Sequence, residues 1–182
     1  MTHESHRIAK VDSEIIRQKL ALLVKNFETE LITGELRPKV LALIPIFHEL
    51  RDLGSSLIPI EFAAAARDRI LFYLRRYPGT IIDGDELLVV SGIQEYARRL
   101  RELRVQFGWM IASGITIKEM DEEEAAELPE NLKLMRPSEY VLLSADQDKE
   151  AAHRWNVANQ IRKQRGSIRD KLLIYLKANV AS

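Results

Sequence analysis

At 182 residues, with 46% hydrophobic and 30% charged side chains, the chain has a globular composition that excludes disordered, collagen-like and disulfide-stapled classes. Its 27 basic residues are matched by 27 acidic ones, so no global positive field draws it to phosphate and nucleic-acid binding would need a local patch. With no Cys there are no thiolate zinc sites, catalytic thiols or disulfides, as expected of a cytoplasmic protein, and without a run of about 18 apolar residues no signal peptide or membrane anchor is expected.

Asp12 and Ser13 can cap a first helix carrying Ile16, Leu20, Leu23, Val24, Phe27 and Leu31 at helical spacing, with Gly34 as its stop. Pro38 suits the first turn of a second helix, in which Val40, Leu41, Ile44, Phe47, Leu50 and Leu53 continue to Gly54, with Pro45 as an internal kink. These two helices are expected to pair as a hairpin over residues 1–56. Gly54-Ser55-Ser56 reads as a link, after which Pro59 opens a long amphipathic run with Phe62, Ala66, Ile70, Tyr73, Leu74 and Tyr77, ended by Pro78-Gly79.

Thr80-Ile81-Ile82 is a short extended piece. Asp83-Gly84-Asp85-Glu86 is an acidic helix start ahead of Leu87, Leu88 and Val90. Ser91-Gly92-Ile93 breaks that helix and begins another over 94–106, with Ile93, Tyr96, Ala97, Leu100 and Leu103 on one apolar face. Residues 107–112 then read as a strand entered through Gly108, with Trp109 expected to pack its ring on the helical core. Residues 139–144 are its expected partner. The expected fold is therefore mainly α, an N-terminal helical hairpin plus a winged helix-turn-helix with a small β-hairpin wing over residues 57–145.

Between the strands, residues 118–130 hold carboxylates at 119, 121, 122, 123, 124, 127 and 130, a solvated wing or insertion. A final helix should follow Ser144 or Asp146, use Ala151, Ala152, Trp155, Val157, Ala158 and Ile161, and end near Gly166. Residues 67–75 align without gaps on 169–177, with five identities and four like-for-like swaps. Either 146–182 leads into a second, similar module or an amphipathic helix happens to match.

The candidate recognition helix presents Gln94, Arg98, Arg101, Glu102 and Val105 opposite its apolar face, with Glu95 and Arg99 on the flanks. Arg bonds guanine bidentately and Gln does so for adenine, so this face suits base edges in a major groove, whereas Arg99 suits a phosphate. Arg104 lies near the apolar side, where it should fold over neighbours or pair with a carboxylate of the preceding helix. The same arginines also fit an exposed helix laced with ion pairs. His3, His6, His48 and His153 are scattered, no carboxylate-x-lysine element occurs, and no Gly-rich phosphate loop is present, so no metal, cofactor or catalytic centre is expected.

The segments Ala66–Ile70, Asp83–Leu87, Val90–Ile93, Tyr96–Arg104 and Gly108–Ile111 resemble the winged-helix modules preceding the nuclease domain in bacterial HNH-type, restriction-like endonucleases. The Arg-Arg-x-Arg-Glu-Leu-Arg run followed by Gly-Trp is the specific part of the likeness, which covers about residues 38–111. The resemblance implies double-stranded DNA as partner and DNA recognition by the helix bearing Arg98, Arg99, Arg101 and Arg104. It also implies a downstream nuclease domain. Two other readings are a protein-interaction winged helix, with the acidic stretch as its working surface, and a free-standing transcription regulator that is a homodimer through its helical hairpin.

Overall fold

A computed structural model describes residues 13–33, 35–164 and 167–180. Asp12, Gly34, Gly166, His3 and His6 lie outside the described residues. The protein is mainly helical, with a three-stranded antiparallel sheet. It divides into two compact units: the chain up to Phe72 with Asp85–Gln94, and Tyr73–Gly84 with the chain from Glu95 onward.

In the first unit, α1 (Ser13–Thr33) and α2 (Leu36–Ser56) form the expected hairpin. Its seam repeats every 3.5 residues, with Ile16, Leu20, Leu23 and Phe27 on α1 and Ala42, Ile46 and Leu53 on α2 the less exposed positions. The open end is tied by the Ser13 hydroxyl, which donates to the Ser56 carbonyl at 3.3 Å and accepts from the Ser56 hydroxyl at 3.0 Å. On one flank Lys19 pairs with Glu49. On the first turn, the Arg17 guanidinium hydrogen-bonded to Glu14 holds that carboxyl down at about 2.

Gly54-Ser55-Ser56 is not a link but the last turn of α2. Both hydroxyls bond back to i−3 carbonyls, Ser55 to Asp52 at 3.1 Å and Ser56 to Leu53 at 2.7 Å, so the serines are satisfied within a helix. Gly54 is buried for a steric reason: a Cβ there would stand 2.7 Å from the Val89 carbonyl oxygen of α4 (Gly84–Ser91). The long helix expected from Pro59 is also shorter, with α3 spanning Ala66–Arg76. Before it, the Pro59 carbonyl accepts from the N–H groups of Phe62 and Ala63, a turn that buries Ile58 and Ala63. Arg69 donates to the carbonyls of Ala64 (2.9 Å), Val90 (2.9 Å) and Ser91 (2.5 Å), satisfying the carbonyl end of α4. Burial lowers the pKa of that guanidinium.

In the second unit β1 (Ile82–Asp83), β2 (Trp109–Ser113) and β3 (Glu139–Gln147) form a sheet of order β1-β3-β2. The expected pairing of the last two strands is present, with Ile111 opposite Leu142, Ala112 opposite Val141 and Ser113 opposite Tyr140, and an irregularity between Trp109 and Ile111. The two-stranded hairpin becomes a three-stranded sheet because Ile82 and Asp83 pair with Tyr140 and Glu139 on the other edge of β3. β3 continues to Gln147, through the Ser144 and Asp146 expected to start a helix. α9 (Lys149–Lys163) begins instead at Asp148, whose carboxylate accepts from the Ala151 N–H at 2.8 Å.

The stretch between β2 and β3 is not a loop-like wing. It folds as α6 (Gly114–Lys118), α7 (Glu122–Ala126) and α8 (Glu130–Lys133). Ile117, Leu132 and Met135 from this region join Ala112 and Val141 of the sheet in one core, with Ile81, Met120, Leu128 and Leu143 packed around it. Its carboxylates at 119, 121, 123, 127 and 130 are exposed, as their sequence pattern predicts. α10 (Ile168–Val180) packs on α9 and is helical like its sequence echo in α3. Burial differs: Ile70 and Leu74 are wholly buried, whereas the aligned Leu172 and Leu176 are exposed.

Asp83 and Glu139 face each other across β1 and β3, and Arg136 relieves their repulsion. Its Nη2 lies 2.6 Å from Asp83, its Nε donates to Glu139 at 2.8 Å, and its backbone N–H donates to Glu139 at 2.5 Å. The Arg136 backbone N–H first, then its guanidinium, holds the Glu139 carboxyl below the usual value of 4.5. A carboxyl with a lowered folded pKa stabilises the fold above its unfolded pKa, and that contribution is lost as pH falls through the folded value. Glu139→Gln should therefore make stability fall less steeply with pH below 4.5. Parallel curves of urea midpoint against pH for parent and variant would disprove the linkage.

Candidate nucleic-acid interface

α5 (Tyr96–Val105) carries four arginines on ten residues and buries only Leu100 and Leu103. The helix starts two residues later than its periodicity suggests. Gly92, at φ +67°, turns the chain in left-handed backbone, and residues 92–95 remain non-helical. Gln94 is consequently an exposed turn residue of the first unit and not part of the helix. Ala97, expected on the apolar face, is exposed, because with the later start the inward stripe centres on Leu100 and Leu103. At the other end the Gly108 N–H donates to the Arg104 carbonyl at 3.1 Å, closing the helix with another left-handed glycine at φ +69°.

The four guanidinium groups have different surroundings. Arg98 is the more open, its side chain 69% exposed, and its Nε lies 3.5 Å from Glu102. Arg99 grips both oxygens of Glu102, at 2.7 and 2.8 Å, and this hydrogen-bonded carboxylate raises the pKa of the guanidinium. Arg101 is exposed on the same helix and makes no ion pair or hydrogen bond among the described residues. One carboxylate thus serves two arginines, leaving a local excess of positive charge on an outward helix surface in a protein of zero formal charge.

Arg104 is turned elsewhere. It donates to the Thr116 hydroxyl at 3.2 Å, within the capping group of α6, where Ser113 accepts from the Thr116 N–H at 3.2 Å. The expected carboxylate partner is replaced by a hydroxyl because the last turn of α5 faces the start of α6. Arg104 therefore anchors the helix. Of the five residues singled out in the sequence, α5 displays Arg98, Arg99 and Arg101 together, uses Arg104 internally and excludes Gln94.

β2 packs on α5, and its first residue behaves unlike the expected core aromatic. Trp109 is only half-buried, with the Arg75 guanidinium 5.3 Å from the centre of its ring. Sequence spacing could not find this pair, since Arg75 lies at the end of α3 and meets Trp109 only in the folded chain. Tyr140 of β3 stands edge-on to Tyr96 at 6.2 Å, and burial raises the pKa of its hydroxyl. No cluster of three His, Cys, Asp or Glu able to hold a metal occurs among the described residues. No helix among them is long and apolar enough to cross a membrane.

The α5 surface lies inside the part of the chain that has a known counterpart. Residues 67–143 match the family model of the KpnI N-terminal domain. KpnI is a restriction enzyme, an HNH-type endonuclease. The KpnI-like segment begins in α3, contains α4, α5, β2 and the helical insertion, and ends in β3. It overlaps much of the region whose sequence resembles HNH-type, restriction-like endonucleases and continues beyond it through the acidic insertion. No curated protein and no solved structure matches the chain.

Proposed function

We propose that this protein binds double-stranded DNA as the target-recognition part of an HNH-type restriction endonuclease. The observation that carries the reading is the match of residues 67–143 to the KpnI N-terminal domain, with the outward arginines of α5 inside the matched segment. α5 enters the major groove, Arg98 and Arg101 read base edges, and Arg99 exchanges part of its contact with Glu102 for a phosphate. Gln94, just ahead of the helix, contributes from the preceding turn. In this reading α3, α4 and α5 are the three helices of a winged helix-turn-helix over residues 57–145, β2 and β3 supply the wing strands, and residues 1–56 and 146–182 are accessory. Cleavage belongs to a histidine-metal nuclease domain elsewhere, and the protein works in the cytoplasm.

The test is duplex affinity as a function of salt. Each phosphate neutralised by Lys or Arg contributes a slope of about −0.9 in log affinity against log salt. Retention on duplex DNA should weaken steeply as salt rises. A protein that does not bind duplex at low salt, or binds with no salt dependence, would overturn the reading and favour a protein partner for the acidic insertion.

A further inference from the structure

The helical hairpin leaves most of one face uncovered. Beside the seam that joins the helices, α2 carries a second stripe at the same 3.5-residue period: Leu36, Val40, Leu43, Phe47 and Leu50. These side chains are 79, 51, 43, 56 and 57% exposed. Val24 and Leu31, seven residues apart on α1 and in the same helical position as Arg17, extend it at 53 and 55% exposure. Arg17, Phe47 and Leu50 line one groove of about 1090 Å³, which places these flanks of α1 and α2 on the same side of the hairpin. The Lys19–Glu49 pair marks the opposite side.

Two repeats of this period on one helix are more than a surface helix needs. An amphipathic helix in a two-helix hairpin needs one apolar seam, and a second is the pattern of a helix inside a larger bundle. We infer that this face is the interface of a homodimer, in which the α2 stripe packs antiparallel on the α2 stripe of a second copy to make a four-helix bundle.

The stripe is complementary to itself. About a two-fold axis at Leu43, Leu36 of one copy meets Leu50 of the other, Val40 meets Phe47, and Leu43 meets Leu43, so a small side chain faces a large one and every stripe residue has an apolar partner. A closed two-fold contact of this kind uses one surface twice. The seven side chains offer about 700 Å² per copy, close to the ~800 Å² per partner that a stable interface buries. The stripe from Leu36 to Leu50 carries no charged residue, while Arg17, Glu14 and Arg51 stand at the rim of the groove beyond it. The inference is independent of DNA recognition, since it rests on residues outside the KpnI-like segment.

Sedimentation equilibrium of the full chain tests it. The parent should run at twice the monomer mass. Leu43→Glu, which sets two like charges against each other at the axis, should run as a monomer with unchanged helical circular dichroism, since the side chain is exposed. Leu41→Glu, exposed on α2 but off the stripe, should remain dimeric. An equimolar mixture of Leu43→Glu and Leu43→Lys chains should regain the dimer mass. A parent that is monomeric throughout the micromolar range, a Leu43→Glu protein that stays dimeric, or a mixture that stays monomeric would each overturn the interface.

Discussion

Gly108→Ala should destabilise the protein by about 4 kcal/mol or more, at the extreme of single substitutions. Gly108 sits at φ +69°, and a Cβ there would lie 1.9 Å from the Asp148 carbonyl oxygen and 2.8 Å from its carbon. Left-handed backbone alone costs an L-residue roughly 1–2 kcal/mol. The close approach adds more, because both colliding atoms are backbone and the Asp148 N–H donates to the Gly108 carbonyl at 2.8 Å. Relieving the clash would part the chain between α5 and β2 from the start of α9, whose cap is Asp148. Gly79 provides the comparison: it has φ +70° but open space where its Cβ would be, so Gly79→Ala should show the backbone cost alone. Urea denaturation of both variants measures the difference. Equal midpoints would show that the contact at Asp148 contributes nothing.

Arg98→Ala combined with Arg101→Ala should weaken binding to a duplex selected by the parent protein by about 2–6 kcal/mol, at ~1–3 kcal/mol for each base-reading contact. The loss should leave folding intact. Arg101 has no protein partner among the described residues, and an exposed pair such as Arg98 with Glu102 contributes at most about 1 kcal/mol. Arg99→Lys should behave differently if Arg99 meets a phosphate, keeping charge and losing little discrimination. Arg104→Ala should act through stability, since its guanidinium holds the start of α6. A double variant that binds the selected duplex as well as the parent would remove α5 from the interface.

The likeness to a restriction-enzyme domain and the arrangement of α5 illuminate each other through Glu102. A helix with four arginines and one central carboxylate is preorganised, because the carboxylate fixes the directions of Arg98 and Arg99 before any ligand arrives. The same carboxylate weakens indiscriminate attraction to phosphate. A binder that must separate one sequence from many benefits from both effects, since non-specific affinity is almost wholly electrostatic.

Much of this architecture was legible in the amino-acid order. The hairpin helices, α4, α5, β2 and the body of α9 follow from apolar spacing and from Gly and Pro punctuation, because helix and strand periods are local properties of the backbone. The outward placement of Arg98 and Arg101 follows from the same arithmetic. Helix ends were less accessible: α3 loses its first turns to the Pro59 turn, and α5 starts after Gln94, because competing backbone hydrogen bonds decide those boundaries.

What only the tertiary structure decided depends on segments far apart in the chain. Ile82-Asp83 become a strand through residues 139–140, and the acidic stretch becomes three short helices because Ile117, Leu132 and Met135 find one shared core. Trp109 meets Arg75, and Arg104 meets Thr116, through chain reversals that no short window contains. Periodicity says which face of an element is apolar, and composition says that a carboxylate run is solvated. Neither says which distant element covers the face or which polar group answers a given guanidinium, since those contacts are selected by the packing of the whole chain and not by the conformational preference of any one segment.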